Sequence, residues 1–151
     1  MIPYIQTTNF TTAAASLMAI LHHFNKDIKQ TKKREFHVWH NTANLPTRGS
    51  SIYALALYAK QHGLDPKIIV ETKKYGFPDY RFYRYTKEDI DHASFSSQLH
   101  LEKAEHKEIP IEEKTITLKD VKNESKNNII LLRINAKPIR NEKRNTSNYI
   151  V

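Results

Sequence analysis

The chain has 151 residues, a formal net charge of +8 and no cysteine. That length suits one domain, able to bury roughly two-thirds of its unfolded surface. The missing cysteines exclude disulfides, thiolate metal sites and thiol nucleophiles. With only three glycines, none after Gly76, there is no P-loop or Rossmann fingerprint. The hydrophobic share is a low 39%, but eight Tyr and six Phe favour a globular chain over a disordered one. The N-terminus carries neither a basic lead nor a continuous apolar run, and no stretch is long enough to span a bilayer. No signal peptide and a cytoplasmic location are therefore expected.

An extended lead-in ending at Gln6 feeds the first helix, expected from about Ala13 to Asn25. Leu17, Ile20, Leu21 and Phe24 recur there at helical spacing, and Thr11 or Thr12 is the expected N-cap. A polar link, Lys26 to Thr31, precedes a second helix from about Lys32 to Ala43, with Phe36 and Trp39 directed inward. Leu45-Pro46-Thr47-Arg48-Gly49 breaks it. Ser50 or Ser51 then caps a third helix, Ile52 to His62, which Gly63 closes. Its Ile52, Leu55, Ala56 and Ala59 form an apolar stripe. After Asp65-Pro66, the β-branched stretch Lys67 to Thr72 is expected to be a strand.

Tyr75 to Tyr85 interleaves aromatic rings with Arg81 and Arg84, which reads as a loop or edge strand whose rings seal a sheet edge. Thr86 and Asp89 resemble a capping box opening a polar amphipathic helix to about His106, with Ile90, Phe95, Leu99 and Leu101 on its apolar positions. Pro110 ends that region. Leu118 to Val121 forms a short helix capped by Thr117. Asn128 to Ile134 is the strongest strand candidate; Ile129-Ile130-Leu131-Leu132, apolar at every position, is expected to be central. A polar connection, Asn135 to Ser147, leads to a last strand, Asn148 to Val151. The order of elements, helices first and strands after, gives α+β.

The basic charge is spread along the chain, apart from Lys137, Arg140, Lys143 and Arg144 near the end. Net charge is weak evidence for nucleic-acid binding; the alternative function it offers is phosphate contact with base stacking on the Tyr75–Arg84 stretch. His37 and His40 share a helix face, but no Cys or carboxylate completes a ligand set. The adjacent His22 and His23 point about 100° apart. No metal and no cofactor is expected. Glu102, Glu105, Glu108, Glu112 and Glu113, mixed with Lys103, Lys107 and Lys114, read as a solvated charged helix face and linker rather than a carboxylate pair for catalysis.

Taken together, Ile2-Pro3-Tyr4-Ile5-Gln6-Thr7-Thr8-Asn9-Phe10-Thr11, Arg34-Glu35-Phe36-His37-Val38-Trp39, Gly49-Ser50-Ser51-Ile52-Tyr53-Ala54-Leu55-Ala56-Leu57, Ile129 to Leu132, and Ser147-Asn148-Tyr149-Ile150-Val151 resemble the C39-like peptidases of the papain-like cysteine peptidase superfamily. The resemblance covers nearly the whole chain in order. It implies a papain-like α+β fold with N-terminal helices on a small antiparallel sheet. It also implies one C39-like domain over residues 1–151 that lacks the family's final turn and return strand. In that family a Cys opens the first long helix, where the helix dipole favours a thiolate, and an upstream Gln serves the oxyanion hole. The resemblance places the oxyanion donor at Gln6, the nucleophile at Thr12 and the general base at Asn148. The Gly and Pro after the nucleophile correspond to Ala13 and Ala14. The second motif's Cys, Gly and Pro have become Ser50, Ser51 and Ile52.

A hydroxyl needs a base within reach, and an Asn amide cannot accept and return a proton. The expectation is thus a catalytically inactive homologue, with degenerate positions Gln6, Thr12 and Asn148, that binds an extended peptide or protein tail. Residual hydrolysis through Thr12 is the alternative within the same fold. The apolar final strand, Tyr149-Ile150-Val151, offers an edge for homodimer pairing.

Overall fold

A computed structural model describes residues 1–74, 84–140 and 147–151. The helices are α1 (Thr12–Phe24), α2 (Lys32–Thr42), α3 (Ile52–Gln61), α4 (Lys87–His106), α5 (Leu118–Glu124) and α6 (Lys137–Arg140). The strands are β1 (Ile68–Val70), β2 (Ile111–Glu113), β3 (Leu132–Asn135) and β4 (Ser147–Ile150). β1 and β2 pair in parallel, with Ile68 opposite Ile111, and β3 and β4 pair antiparallel, with Arg133 opposite Tyr149. Helices with two small sheets make the arrangement α+β.

The helix α3 is the wall between two apolar clusters. Ser51 caps it, accepting from the Ala54 N–H at 3.4 Å, and Gly63 follows it at φ 81°, a left-handed conformation that glycine adopts without a Cβ penalty. Every residue from Tyr53 to Ala59 is buried, so the helix is apolar all round rather than striped. Leu55, Tyr58 and Ala59 join Ala13, Leu17 and Leu21 of α1, Val38 of α2 and Tyr149 of β4. Tyr53, Ala56 and Leu57 join Leu101 and Ala104 of α4, Ile68 of β1 and Ile109. The β3–β4 ribbon lies against α1, as the antiparallel sheet of the expected fold does, whereas the parallel β1–β2 pair was not expected.

Several boundaries and faces differ from the sequence reading. The fully buried face of α2 is Glu35, Val38 and Thr42; Trp39 is half-buried and packs against the first apolar cluster, while the half-buried Phe36 packs on Trp39 and Phe10. On α4 the buried positions are Ile90, Ala93, Ser97, Leu101 and Ala104, while Phe95 and Leu99 are 65% and 49% exposed. The expected Ile90 and Leu101 are thus joined on the buried face by small residues rather than by Phe95 and Leu99. The apolar run Ile129–Leu131 precedes the strand instead of forming its centre. β3 begins at Leu132, where the alternation Leu-Arg-Ile-Asn of a half-buried strand begins, and β4 is its one partner among the described residues.

Glu112 and Glu113 lie on β2 rather than on a helix face or linker. Glu112 there accepts from Lys67 at 2.9 Å and Lys114 at 3.0 Å, which accommodates a charged strand at the surface. The polar connection after Asn135 contains the short helix α6. The capping box of Thr86 with Asp89 forms, and the Thr117 cap of α5 is itself a capping box completed by Asp120. Positions 75–83 of the aromatic-basic stretch lie outside the described residues, as do Lys143 and Arg144.

Leu101→Ala, which empties space beside α3, is expected to cost about 2–5 kcal/mol in urea unfolding. Phe95→Ser, on the exposed face, should stay within about 0.5 kcal/mol of the parent. Equal losses at the two positions would contradict this packing.

Candidate functional site

The N-terminal lead-in is fixed by one buried side chain. Glu35 is fully buried on α2, and four groups donate to its carboxylate: Tyr4 Oη at 3.1 Å, the Thr7 backbone N–H at 2.9 Å, Thr7 Oγ1 at 2.8 Å, and the Thr11 hydroxyl. The Thr8 and Thr11 hydroxyls lie 2.8 Å apart, extending the network. A buried carboxylate is costly unless its lone pairs are satisfied, and here donors flank both ends of the Thr7–Thr11 loop. Gln6 stands one residue before this clamp and Thr12 one residue after it.

This revises the role of the threonines. Thr11 occupies the N-cap position of α1, but its side chain makes no capping hydrogen bond, because its hydroxyl is committed to Glu35. Thr12 is the first helical residue and does not cap the helix either. Among the described residues the side chains of Gln6 and Thr12, both half-buried, make no hydrogen bond. Ala13 and Ala14 follow Thr12 into the first apolar cluster.

The element carrying Asn148 is fastened beside the same helix. Ser16, one turn beyond Thr12 on α1, donates from Oγ to the Tyr149 carbonyl at 3.5 Å. The buried Tyr149 donates from Oη to the Ser50 carbonyl at 3.1 Å. Burial pushes the Tyr149 phenol up to about 12 against the opposing pull of Arg133, so it remains a neutral donor. β4 is thereby held beside α1 through Tyr149, and Asn148 stands opposite Ile134 in the ribbon.

Ser50 and Ser51 are held by local structure. Ser51 caps α3, and its N–H donates to the Thr42 carbonyl at 2.7 Å. Ser50 Oγ accepts from Thr42 Oγ1 at 3.0 Å.

The sequence signature of the Peptidase_C39 like family matches residues 2–145. The chain belongs to that family. No curated protein and no solved structure matches it. Within this Peptidase_C39-like chain, Gln6 and Thr12 flank the Thr7–Thr11 loop at the start of α1, and the strand that carries Asn148 meets the same helix at Ser16. The histidines are used locally: His37 Nδ1 lies 3.0 Å from Tyr58 Oη, while the Nδ1 atoms of His22 and His62 lie 2.9 and 2.8 Å from the carbonyls of Ile28 and Tyr58. Among the described residues no three His, Asp or Glu side chains converge on one point, and no helix is long and apolar enough to cross a membrane.

Glu35 is the residue that sequence reasoning passed over. Its signal was present: it shares the buried face of α2 with Val38 and Thr42, and in the first 64 residues Asp27 is the one other acidic side chain. Burial works to raise the Glu35 pKa, but the hydrogen bonds from Thr11, Thr7 and Tyr4 together outweigh it and hold the carboxyl below its ordinary 4.5. A depressed carboxyl contributes stability that is complete above the unfolded-state pKa of about 4.3 and is lost as pH falls through the lower folded value. Glu35→Gln is expected to cost about 1–3 kcal/mol at neutral pH, through mismatched donors, and to flatten the acid limb of the stability profile. Denaturant unfolding of both proteins from neutral to acid pH measures this; parallel profiles would show that Glu35 is not the titrating clamp.

Proposed function

We propose that this member of the Peptidase_C39 like family is catalytically inactive and holds an extended peptide or protein tail without cutting it. The observation that carries the reading is the Glu35 clamp. It spends a buried charge on fixing the loop between Gln6 and Thr12, while the nucleophile position itself holds a threonine in a chain without cysteine. Thr12 is internal, so it cannot use a free α-amine as its base, and the corresponding base position is an amide, Asn148. The retained parts are those of recognition: an extended lead-in, a half-buried Gln6 with amide hydrogens to donate, and the first turn of α1 with Thr11 not capping it.

The test is titration with a panel of extended peptides, with mass spectrometry of the same mixtures after prolonged incubation. Saturable binding with intact peptides is expected, and Gln6→Ala should weaken it about five- to tenfold, the worth of one hydrogen bond. Cleavage that disappears in Thr12→Ala would replace this reading with that of a threonine hydrolase. Failure of every peptide to bind would remove it.

A further inference from the structure

The acidic residues of this protein are unevenly spread. Beyond residue 64 they pair with three of the lysines: Lys67 with Glu112 and Glu124, Lys73 with Glu105, and Lys114 with Glu112 and Asp120. Before it, the acidic residues are Asp27 and Glu35 alone, and Glu35 is buried in its own network. Among the described residues, the cations between Lys26 and Arg48 form no ion pair.

Part of that charge is mounted on aromatic rings next to the Thr11–Thr12 site. Phe10, the residue before Thr11, packs on Trp39 with ring centroids 5.1 Å apart and on Phe36 at 6.4 Å. The Arg48 guanidinium lies over the Phe10 ring at 5.0 Å, and Lys32 Nζ over the Phe36 ring at 6.0 Å. Trp39 Nε1 donates to the Arg48 carbonyl at 3.0 Å, which ties that loop to α2. Both cations are exposed and the three rings half-buried. Cation–π contact orients a charge without neutralising it. It also covers the ring faces on which a nucleobase would stack.

We infer that the surface formed by Phe10, Lys32, Phe36, Trp39 and Arg48 receives an acidic stretch of protein chain, its carboxylates meeting Lys32 and Arg48. Arg48 presents a planar fork suited to a carboxylate, and Lys32 a second, mobile point charge. This inference rests on the peptide-binding reading above and gives that peptide its chemistry: the segment flanking the Thr12 site is rich in Asp and Glu.

Trp39 is the single tryptophan and lies in the surface, so its fluorescence reports occupancy directly. The probes are a short polyglutamate, a neutral Gly-Ser peptide, polylysine and a single-stranded oligonucleotide. Polyglutamate is expected to change Trp39 emission saturably, with affinity falling as salt rises, while the neutral and basic peptides change it little. The double variant Lys32→Glu/Arg48→Glu should weaken polyglutamate by at least roughly tenfold, whereas Lys122→Glu/Lys126→Glu, equal in charge and outside the surface, should stay within about twofold. Should the first pair fail to fold, as circular dichroism would reveal, Lys32→Gln/Arg48→Gln is expected to give a smaller loss of the same kind. Equal binding of acidic and neutral peptides overturns the inference and leaves the peptide-binding reading standing; equal losses from both charge reversals overturn it too. No binding by any peptide overturns both. Tighter binding of the oligonucleotide, weakened by the same substitutions, overturns it in favour of a phosphate partner.

Discussion

A carboxylate enclosed by hydroxyls holds the N-terminal third of this protein in place. Glu35 takes donors from Tyr4, Thr7 and Thr11, three residues of a segment that has no regular structure of its own. Without such a partner, an extended lead-in would have little to stop it leaving the surface, since Ile2 and Ile5 are largely exposed. The charge is the reason the arrangement is specific: a buried carboxylate tolerates only a geometry in which its lone pairs are met. The start of α1, the Phe10 ring and the positions of Gln6 and Thr12 all inherit that geometry.

On the other side of α1, order comes from apolar packing. α3 is buried around its circumference and serves both clusters, so the helices beside the Thr12 site and the α4–β1–β2 region share one wall. The loop between α2 and α3 is bound to its own ends and to Trp39, with Thr47 Oγ1 donating to the Asn44 carbonyl at 2.6 Å. At the end of that loop Ser51 caps α3 and Ser50 accepts a hydrogen bond from Thr42, so both serines are held by local structure.

How much of this was legible depended on the range of the interaction. Thr86 with Asp89, Thr117 ahead of α5 and Gly63 behind α3 are decided within four residues, and the sequence alone located each of them, with the α3 cap narrowed to Ser50 or Ser51. The α+β class and the family were likewise readable, because the Ile2–Thr11 opening and the segments that follow keep their order. Non-local choices were not. Whether Phe95 or Ala93 faces inward depends on the closeness of α3. Ile111–Glu113 becomes a strand because Ile68–Val70 offers an edge, and Thr11 forgoes its helix because Glu35 lies within reach. At the site, the positions of Gln6, Thr12 and Asn148 came from the resemblance, whereas the clamp that fixes the first two is a tertiary contact with no local pattern.

The Ser16–Tyr149 contact spans 133 positions of sequence, and Tyr149 belongs to the same apolar cluster as α1, α2 and α3. The helices that are translated first therefore acquire this part of their covering only after β4 has been made. Until then the chain on the ribosome carries an apolar helical face, rich in Ala and Leu, with part of its lid still unsynthesised. For a nascent polypeptide this is a long exposure, set by the order of elements rather than by the strength of any contact. Such a topology makes the early intermediate, more than the finished fold, the state in which chaperones or a neighbouring surface have most to shield.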